Sequence, residues 1–128
     1  MAIFVENLEQ QALENTNFRK VISTNGYSQL VLMSLKPMED IGMEAHPTVD
    51  QFFRVEKGMG KAVLNGTEYE FSDGFGIVIP AGTEHNIINT SETDELKLYT
   101  IYSPANHPDG TIHATKEEAM AAEEEEHK

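Results

Sequence analysis

No cysteine occurs in the 128 residues. That excludes disulfides, thiolate ligands and a cysteine nucleophile, so a metal site would have to use His, carboxylate or amide groups. Basic residues are scarce: 9 Lys+Arg stand against 22 Asp+Glu, for a net charge of −13. Such a balance disfavours nucleic acid, whose phosphate backbone is bound through basic surface. It leaves small anions in a shielded pocket open. No apolar run approaches the ~20 residues that span a bilayer, so no membrane partner is expected. The opening "MAIFVENLEQQALENTNF" has neither the basic nor the apolar stretch of a secretory signal. A cytoplasmic protein with a small-molecule ligand is the expectation.

Helical periodicity is also scarce. Phe18–Thr24, Ser28–Leu35, Asp50–Glu56, Gly60–Asn65, Thr67–Phe71, Gly76–Pro80, His85–Thr90 and Leu96–Tyr102 all read as strands. They are short, rich in Val, Ile, Phe and Tyr, and bounded by Gly, Asn, Asp or Pro. Asn65-Gly66 is the strongest hairpin signal, because both positions tolerate the positive φ of a type I′ turn. Asn25-Gly26 is expected to link the first two strands in the same way. Regular short strands point to an all-β sandwich or barrel. Thr115 with Glu118 forms a capping-box pattern ahead of an Ala/Met/Glu-rich stretch. Glu117–Lys128 is therefore expected to be a solvated helix with a frayed end, carrying a solvated His127. The stretch before Phe18 is compatible with a short helix or an irregular arm. No internal repeat or linker is present, so residues 1–128 form one domain, with a barrel over about 28–104 and a tail and helix over 105–128.

The segment "DGFGIVIPAGTEHNIIN" places Gly74, Pro80, Gly82, His85 and Asn89 in the pattern G-x5-P-x-G-x2-H-x3-N. Pro80 ends a strand, Gly82 permits a tight turn, and His85 opens the next strand. This pattern matches the second motif of the cupin superfamily at all its fixed positions. The resemblance runs from about Leu32 to Pro104 and implies a double-stranded β-helix, or jelly roll, with a short C-terminal helix. It is similar to the small, mannose-6-phosphate-isomerase-like cupins, which often form homodimers.

The family's first motif, G-x5-H-x-H-x(3,4)-E-x6-G, supplies two His and one Glu as metal ligands. Anchored on Gly58, it falls on "MEDIGMEAHPTVDQFFRVEKG" with its donors rearranged. Glu44 stands at the first His position, His46 at the second, and Gln51 at the Glu position. Met38 stands where the initial Gly belongs, so that position is lost. The resemblance thus implies a metal set of Glu44, His46, Gln51 and His85.

Glu44 and His46, two apart on a strand, share a face. Gln51 has the other parity, so "PTVD" must hold a turn or bulge, for which Pro47 and Asp50 are suited. Two imidazoles, one carboxylate and one amide suit a single divalent Mn, Fe, Ni, Co or Zn better than Ca. Open positions on the ion would take water or a bidentate substrate. Alternatively Gln51 stands behind the ligands and orients them. Phe53 and Val55 share the parity of Gln51 and are expected to line the barrel. Tyr99 and Tyr102 have opposite parity, so only one faces inward; Tyr102 is the candidate lining residue.

His107 and His113 lie in "YSPANHPDGTIHATK", an ending that similar small cupins share. Their simpler reading is a capping or turn role near Thr115; the other puts one at the pocket mouth as acid or base. Fold alone does not fix function, and the Lys/Arg cluster that a sugar phosphate needs is missing. The principal expectation is a metal-dependent enzyme on a small oxygenated metabolite, of isomerase, lyase or dioxygenase type. Glu44 would be a ligand, or a catalytic base on detaching. The alternatives are a non-catalytic metal- or ligand-binding module and a metal-free, sugar-epimerase-like cupin using His46 or His85.

Overall fold

The structure, a computed structural model, describes residues 3–126. His127 lies outside them. Among the described residues the chain order is α1 (Leu8–Glu14), β1 (Arg19–Thr24), β2 (Gln29–Leu35), β3 (Asp50–Lys57), β4 (Gly60–Leu64), β5 (Thr67–Phe71), β6 (Gly76–Ile79), β7 (His85–Asn89), β8 (Leu96–Ser103), β9 (Ile112–His113) and α2 (Lys116–Glu126). The strands form two antiparallel sheets facing one another, a jelly roll. One has the order β6-β3-β8-β2-β1-β9 and the other β5-β4-β7. The segment before β3 extends the second sheet past β7 through bridges Asp40↔Ile88 and Glu44↔His85.

Alternation sets which side chains face inward. Along β3, buried Gln51, Phe53 and Val55 alternate with the more open Phe52, Arg54 and Glu56. Directly paired residues share a face of a sheet. Gln51↔Tyr102, Phe53↔Thr100 and Val55↔Leu98 therefore continue the interior onto β8, and Gln29, Val31 and Met33 carry it across to β2. The barrel interior is graded as a result. Gln29, Gln51 and Tyr102 make a polar layer at one end; Val31, Met33, Phe53, Val55 and Leu98 make the apolar body. Burying each large apolar side chain contributes about 1.5–3 kcal/mol.

The two Asn-Gly pairs behave differently. Asn65 and Gly66 both have positive φ, at 48° and 84°, as a type I′ hairpin requires. Neither Asn25 nor Gly26 does. There Asn25 N–H donates to the Ser28 carbonyl at 2.9 Å, so the tip of the loop moves to Gly26 and Tyr27. Met38, at the lost glycine position, keeps a left-handed backbone with φ 64°. It follows Pro37 in a turn closed by Glu39 N–H to the Lys36 carbonyl at 3.0 Å. Backbone geometry has thus outlasted the residue that fits it best.

The ends of the chain pack more closely than composition implies. Of the helix and the arm, the structure has the helix: α1 is capped by Asn7, whose side chain accepts from Gln10 N–H at 3.0 Å, and it buries Ala12. At α2, Thr115 Oγ1 accepts from Glu118 N–H at 3.2 Å, while Glu118 Oε2 accepts from Ala114 N–H at 2.8 Å. The capping box forms one residue wider than its usual reciprocal form. The expectation of a merely solvated helix is corrected here. Ala119 is buried in the core, Lys116 pairs with Asp40 beside the second sheet, and Glu123 pairs with Arg19 of β1. Each contact recurs three or four residues on, so one stripe of α2 meets the barrel although the rest is acidic and exposed.

Met38 is exposed, so replacing it removes little packing. A side chain in the left-handed region costs about 1–2 kcal/mol, partly offset by the greater unfolded-state freedom of glycine. Met38→Gly is expected to stabilise the chain by about 0.5–1 kcal/mol, read as a rise in urea midpoint at constant slope. A lowered midpoint would show that Met38 makes contacts that outweigh its backbone.

Candidate metal centre

The centre is assembled by backbone pairing before any side chain is considered. Glu44 N–H donates to the His85 carbonyl at 2.9 Å and His85 N–H to the Glu44 carbonyl at 2.8 Å. This reciprocal pair sets the two side chains side by side on the inner face. His46, two residues on, projects from the same face. Its carbonyl accepts from Gly82 N–H at 2.8 Å. Gly82 has φ 83°, so the turn after Pro80 depends on glycine to reach that carbonyl.

The parity change before Gln51 is made by a turn at Pro47 and Thr48. Asp50 is not part of that turn. It begins β3, and its carboxylate accepts from Ala81 N–H at 2.8 Å. Asp50 and His46 thus grip opposite sides of the Pro80–Gly82 turn. Asn89, the last motif position, is fully buried away from the centre. Its amide donates to the carbonyls of Leu35, Lys36 and Asp94 at 2.9–3.2 Å and ties the β2–β3 connection to the β7–β8 connection.

Glu44, His46 and His85 bring one potential ligand atom each within 4.8 Å of one another. His46 Nε2 donates to Glu44 Oε2 at 3.1 Å, and the two imidazole rings lie 5.4 Å apart. Ligand bonds of about 2.0–2.2 Å place neighbouring donors about 3 Å apart at right angles, so these separations suit a shared ion. His85 Nδ1 lies 2.9 Å from the Thr83 carbonyl and donates to it, which leaves Nε2 as the basic nitrogen. That Nε2 is buried with no hydrogen-bond partner among the described residues.

Gln51 behaves in parallel. Its Nε2 donates to Thr100 Oγ1 at 3.0 Å, fixing the amide plane, and its buried Oε1 has no partner. An unsatisfied buried acceptor costs about 1–3 kcal/mol. Two such acceptors beside a carboxylate fit a bound cation, which would satisfy both. Burial alone would raise the Glu44 carboxyl, but the hydrogen bond from His46 and the fields of His46, Arg19 and His85 outweigh it. Glu44 is held below its ordinary value and is ionised at neutral pH.

The remaining candidates separate by depth. Phe53 and Val55 are buried in the apolar body of the barrel and do not reach the pocket wall. Tyr102 faces inward and Tyr99 outward. The Tyr102 ring meets His46 edge-on at 6.0 Å and His107 at 5.1 Å. Burial pushes its hydroxyl well above the ordinary value. Of the two tail histidines, His107 comes to the pocket, which corrects the simpler turn reading for that residue. Its Nε2 is 3.2 Å from the Tyr102 hydroxyl and 3.5 Å from Asn106 Nδ2, a pure donor, so Nε2 accepts from both. Burial, chiefly, and the positive field of Arg19 push His107 down to about 3, so it is neutral at physiological pH. His113 lies in β9, with Nδ1 3.5 Å from Arg19 NH1.

Three contributors escaped the sequence. Gln29 is buried and its Oε1 accepts from both Asn106 and His107 N–H, at 3.1 and 3.0 Å, while its Nε2 donates to the His107 carbonyl at 2.8 Å. It clamps the loop that carries His107. Arg19 and Glu123 are the others, and only three-dimensional proximity finds them. The pocket itself holds about 410 Å³ and is walled by Glu44, His46, Pro47, Asn106, His107 and Glu123.

Known proteins agree with this architecture. Residues 31–102 match the cupin domain family. The chain is 53% identical over 113 residues to protein L612 of Acanthamoeba polyphaga mimivirus, covering 86% of this chain and 71% of that one. It is 48% identical over 128 residues to YrkC of Bacillus subtilis strain 168, covering 94% and 68%. It superposes on the crystal structure of BH2720 from Bacillus halodurans with a TM-score of 0.90 at 45% identity, covering 92% and 93%. The barrel with its two motif segments is that of a cupin, and this chain belongs to the cupin family.

Proposed function

We propose that this cupin holds one divalent metal through Glu44, His46, Gln51 and His85 and acts on a small molecule presenting two neighbouring oxygens. The observation that carries this reading is His85 Nε2, buried and without a partner among the described residues, converging with Glu44 and His46 within 4.8 Å. Gln51 Oε1, likewise buried and unpaired, stands in register with Tyr102, whose ring meets His46. The donor set favours Mn, Fe, Ni, Co or Zn. When bound, such an ion supplies Lewis-acid polarisation of a substrate oxygen.

The chain's own groups supply the rest. The ionised Glu44 carboxylate stands at the pocket wall, where Oε2 can take a proton from a substrate carbon or hydroxyl. With the ion bound, His46 Nε2 would be a ligand and carry no proton, so Glu44, through the oxygen the ion leaves free, is the proton-transfer group for isomerase- or lyase-type chemistry. Neutral His107 and the Tyr102 hydroxyl orient a substrate without adding charge. The apolar body below, with Phe53 and Val55, keeps water out of the barrel floor.

A second reading rests on the 3.1 Å contact between Glu44 and His46, which is also the geometry of a metal-free acid–base pair. Metal analysis separates the two. Protein purified without added metal is expected to carry about one divalent ion per chain by elemental analysis. His46→Ala and His85→Ala are each expected to lose most of it while keeping the strand-rich circular dichroism. Near-stoichiometric metal in both variants would overturn the ligand assignment.

Gln51→Glu is expected to keep or tighten the metal, because Thr100 can turn its hydroxyl to donate to the new carboxylate and the ligand charge rises by one. Competition with a chromogenic chelator measures this. Loss of metal from a folded Gln51→Glu protein would place Gln51 outside the ligand set.

A further inference from the structure

Arg19 is the largest of the nearly fully buried side chains, at 2% exposure, and sits inside a barrel whose body is otherwise apolar. A buried guanidinium normally has its five donors matched, because leaving charge unpaired away from water is costly. Here the match is poor. NH1 meets Glu123 Oε1 at 3.4 Å and His113 Nδ1 at 3.5 Å, both long, Cζ lies 5.5 Å from the centre of the Phe18 ring, and Nε is buried with no hydrogen-bond partner among the described residues. Among the described residues the only carboxylate touching it comes from α2, is itself 37% exposed, and stands in the wall of the candidate pocket beside His46 and His107. The Arg19 charge also reaches that pocket, since its field acts on Glu44, Tyr102 and His107.

Resting on the metal-site reading above, we propose that Arg19 is the carboxylate-recognising residue of this pocket, with Glu123 as an internal stand-in that a substrate carboxylate displaces. The substrate class is then narrowed: neighbouring oxygens at one end for the metal, and a carboxylate at the other for Arg19. Planar, two-point pairing with a free carboxylate gives the guanidinium the short hydrogen bonds that Glu123 does not. Glu123 can leave at low cost, because its carboxylate is already partly in water and it is borne on a helix of which one stripe alone packs. The pocket of about 410 Å³ admits a molecule of five or six carbon atoms, in the range of small-ligand sites.

The test uses two probes with one chelating end, 2-oxoglutarate and its distal amide, 2-oxoglutaramate, titrated by calorimetry into metal-loaded and metal-stripped protein. The acid is expected to bind metal-loaded wild type about tenfold or more tighter than the amide, in keeping with a charge-assisted bidentate pair. Arg19→Gln should remove that preference, leaving the amide affinity and the metal content unchanged. Glu123→Gln should tighten the acid by about threefold or more without affecting the amide, since it removes the competing carboxylate. The Glu123 variant leaves Arg19 in place and serves if Arg19→Gln fails to fold. Equal affinity of wild type for the two probes, no binding of either, or no response to Glu123→Gln overturns the proposal. A preference for the acid that persists in stripped protein, with no gain from metal, retains Arg19 as the carboxylate site and overturns the metal reading instead.

Discussion

The two backbone hydrogen bonds between Glu44 and His85, at 2.9 and 2.8 Å, are the constraint on which the centre depends. They extend the smaller sheet by one short, irregular strand. Without them Glu44 and His46 would belong to an unpaired segment, with no main-chain bond to hold their donor atoms within 4.8 Å of that of His85. The pair is in turn locked from both sides. Gly82 N–H fixes the His46 carbonyl, and Gly42 N–H donates to the buried Asn86 side chain at 2.9 Å. Ligand geometry is thus a consequence of main-chain pairing, which tolerates exchange of the side chains it presents. That is why Glu can stand at a position where the family has His without disturbing the frame.

The barrel interior shows how a polar centre is carried by an apolar core. Thr100 is fully buried directly opposite Phe53, and its hydroxyl orients the Gln51 amide. Gln29 spends both ends of its amide on the backbone of the loop that brings His107 in. Each of these groups is satisfied by a local partner. Of the four exceptions among the described residues, His85 Nε2, Gln51 Oε1 and Arg19 Nε face the barrel interior, and the fourth, Arg54 Nε, lies on the outer face of β3, 3.6 Å from Glu56 Oε1. In a fold that otherwise pairs its buried polar atoms, such a concentration marks where a ligand's own atoms complete the network.

What was legible in the sequence was what period and local chemistry encode. Short runs rich in Val, Ile, Phe and Tyr between turn residues located every strand from β1 to β8 within one residue at either end, and Asn65-Gly66 fixed its turn because both residues must adopt positive φ. Fixed offsets from Gly58 and from Gly74 to Asn89 picked out Glu44, His46 and His85, whose donor atoms lie within 4.8 Å of one another, and Gln51 of the buried polar layer. What stayed hidden was set by partners distant in the chain. Arg19 reads as an ordinary basic residue opening a strand; it faces inward opposite Met33, and its carboxylate partner comes from α2, more than a hundred positions later. Likewise His107 is placed by Gln29, and nothing in "NHPDG" announces that contact. Asn25-Gly26 does link β1 and β2, but without positive φ at either residue, so the dipeptide located the connection and not its turn type.

Helix α2 shows why composition misled most at the C-terminus. An acidic run has little to bury, and most of α2 is exposed. Yet the seam between the two sheets needs only a narrow stripe to close it. Lys116 reaches Asp40 at the edge of one sheet, Ala119 fills the core between them, and Glu123 reaches Arg19 on the other. Hydrogen bonding to Lys116, together with Asn86, holds Asp40 below its ordinary carboxyl range. The same Asn86 bonds the Asp40 carboxylate through its amide and Gly42 N–H through its carbonyl. The start of α2 is therefore connected, by three consecutive hydrogen bonds, to the segment that presents Glu44 and His46. Closing the barrel and shaping the pocket mouth are one structural act, since the helix that sets Glu123 in the pocket wall supports, at its other end, the segment carrying Glu44 and His46.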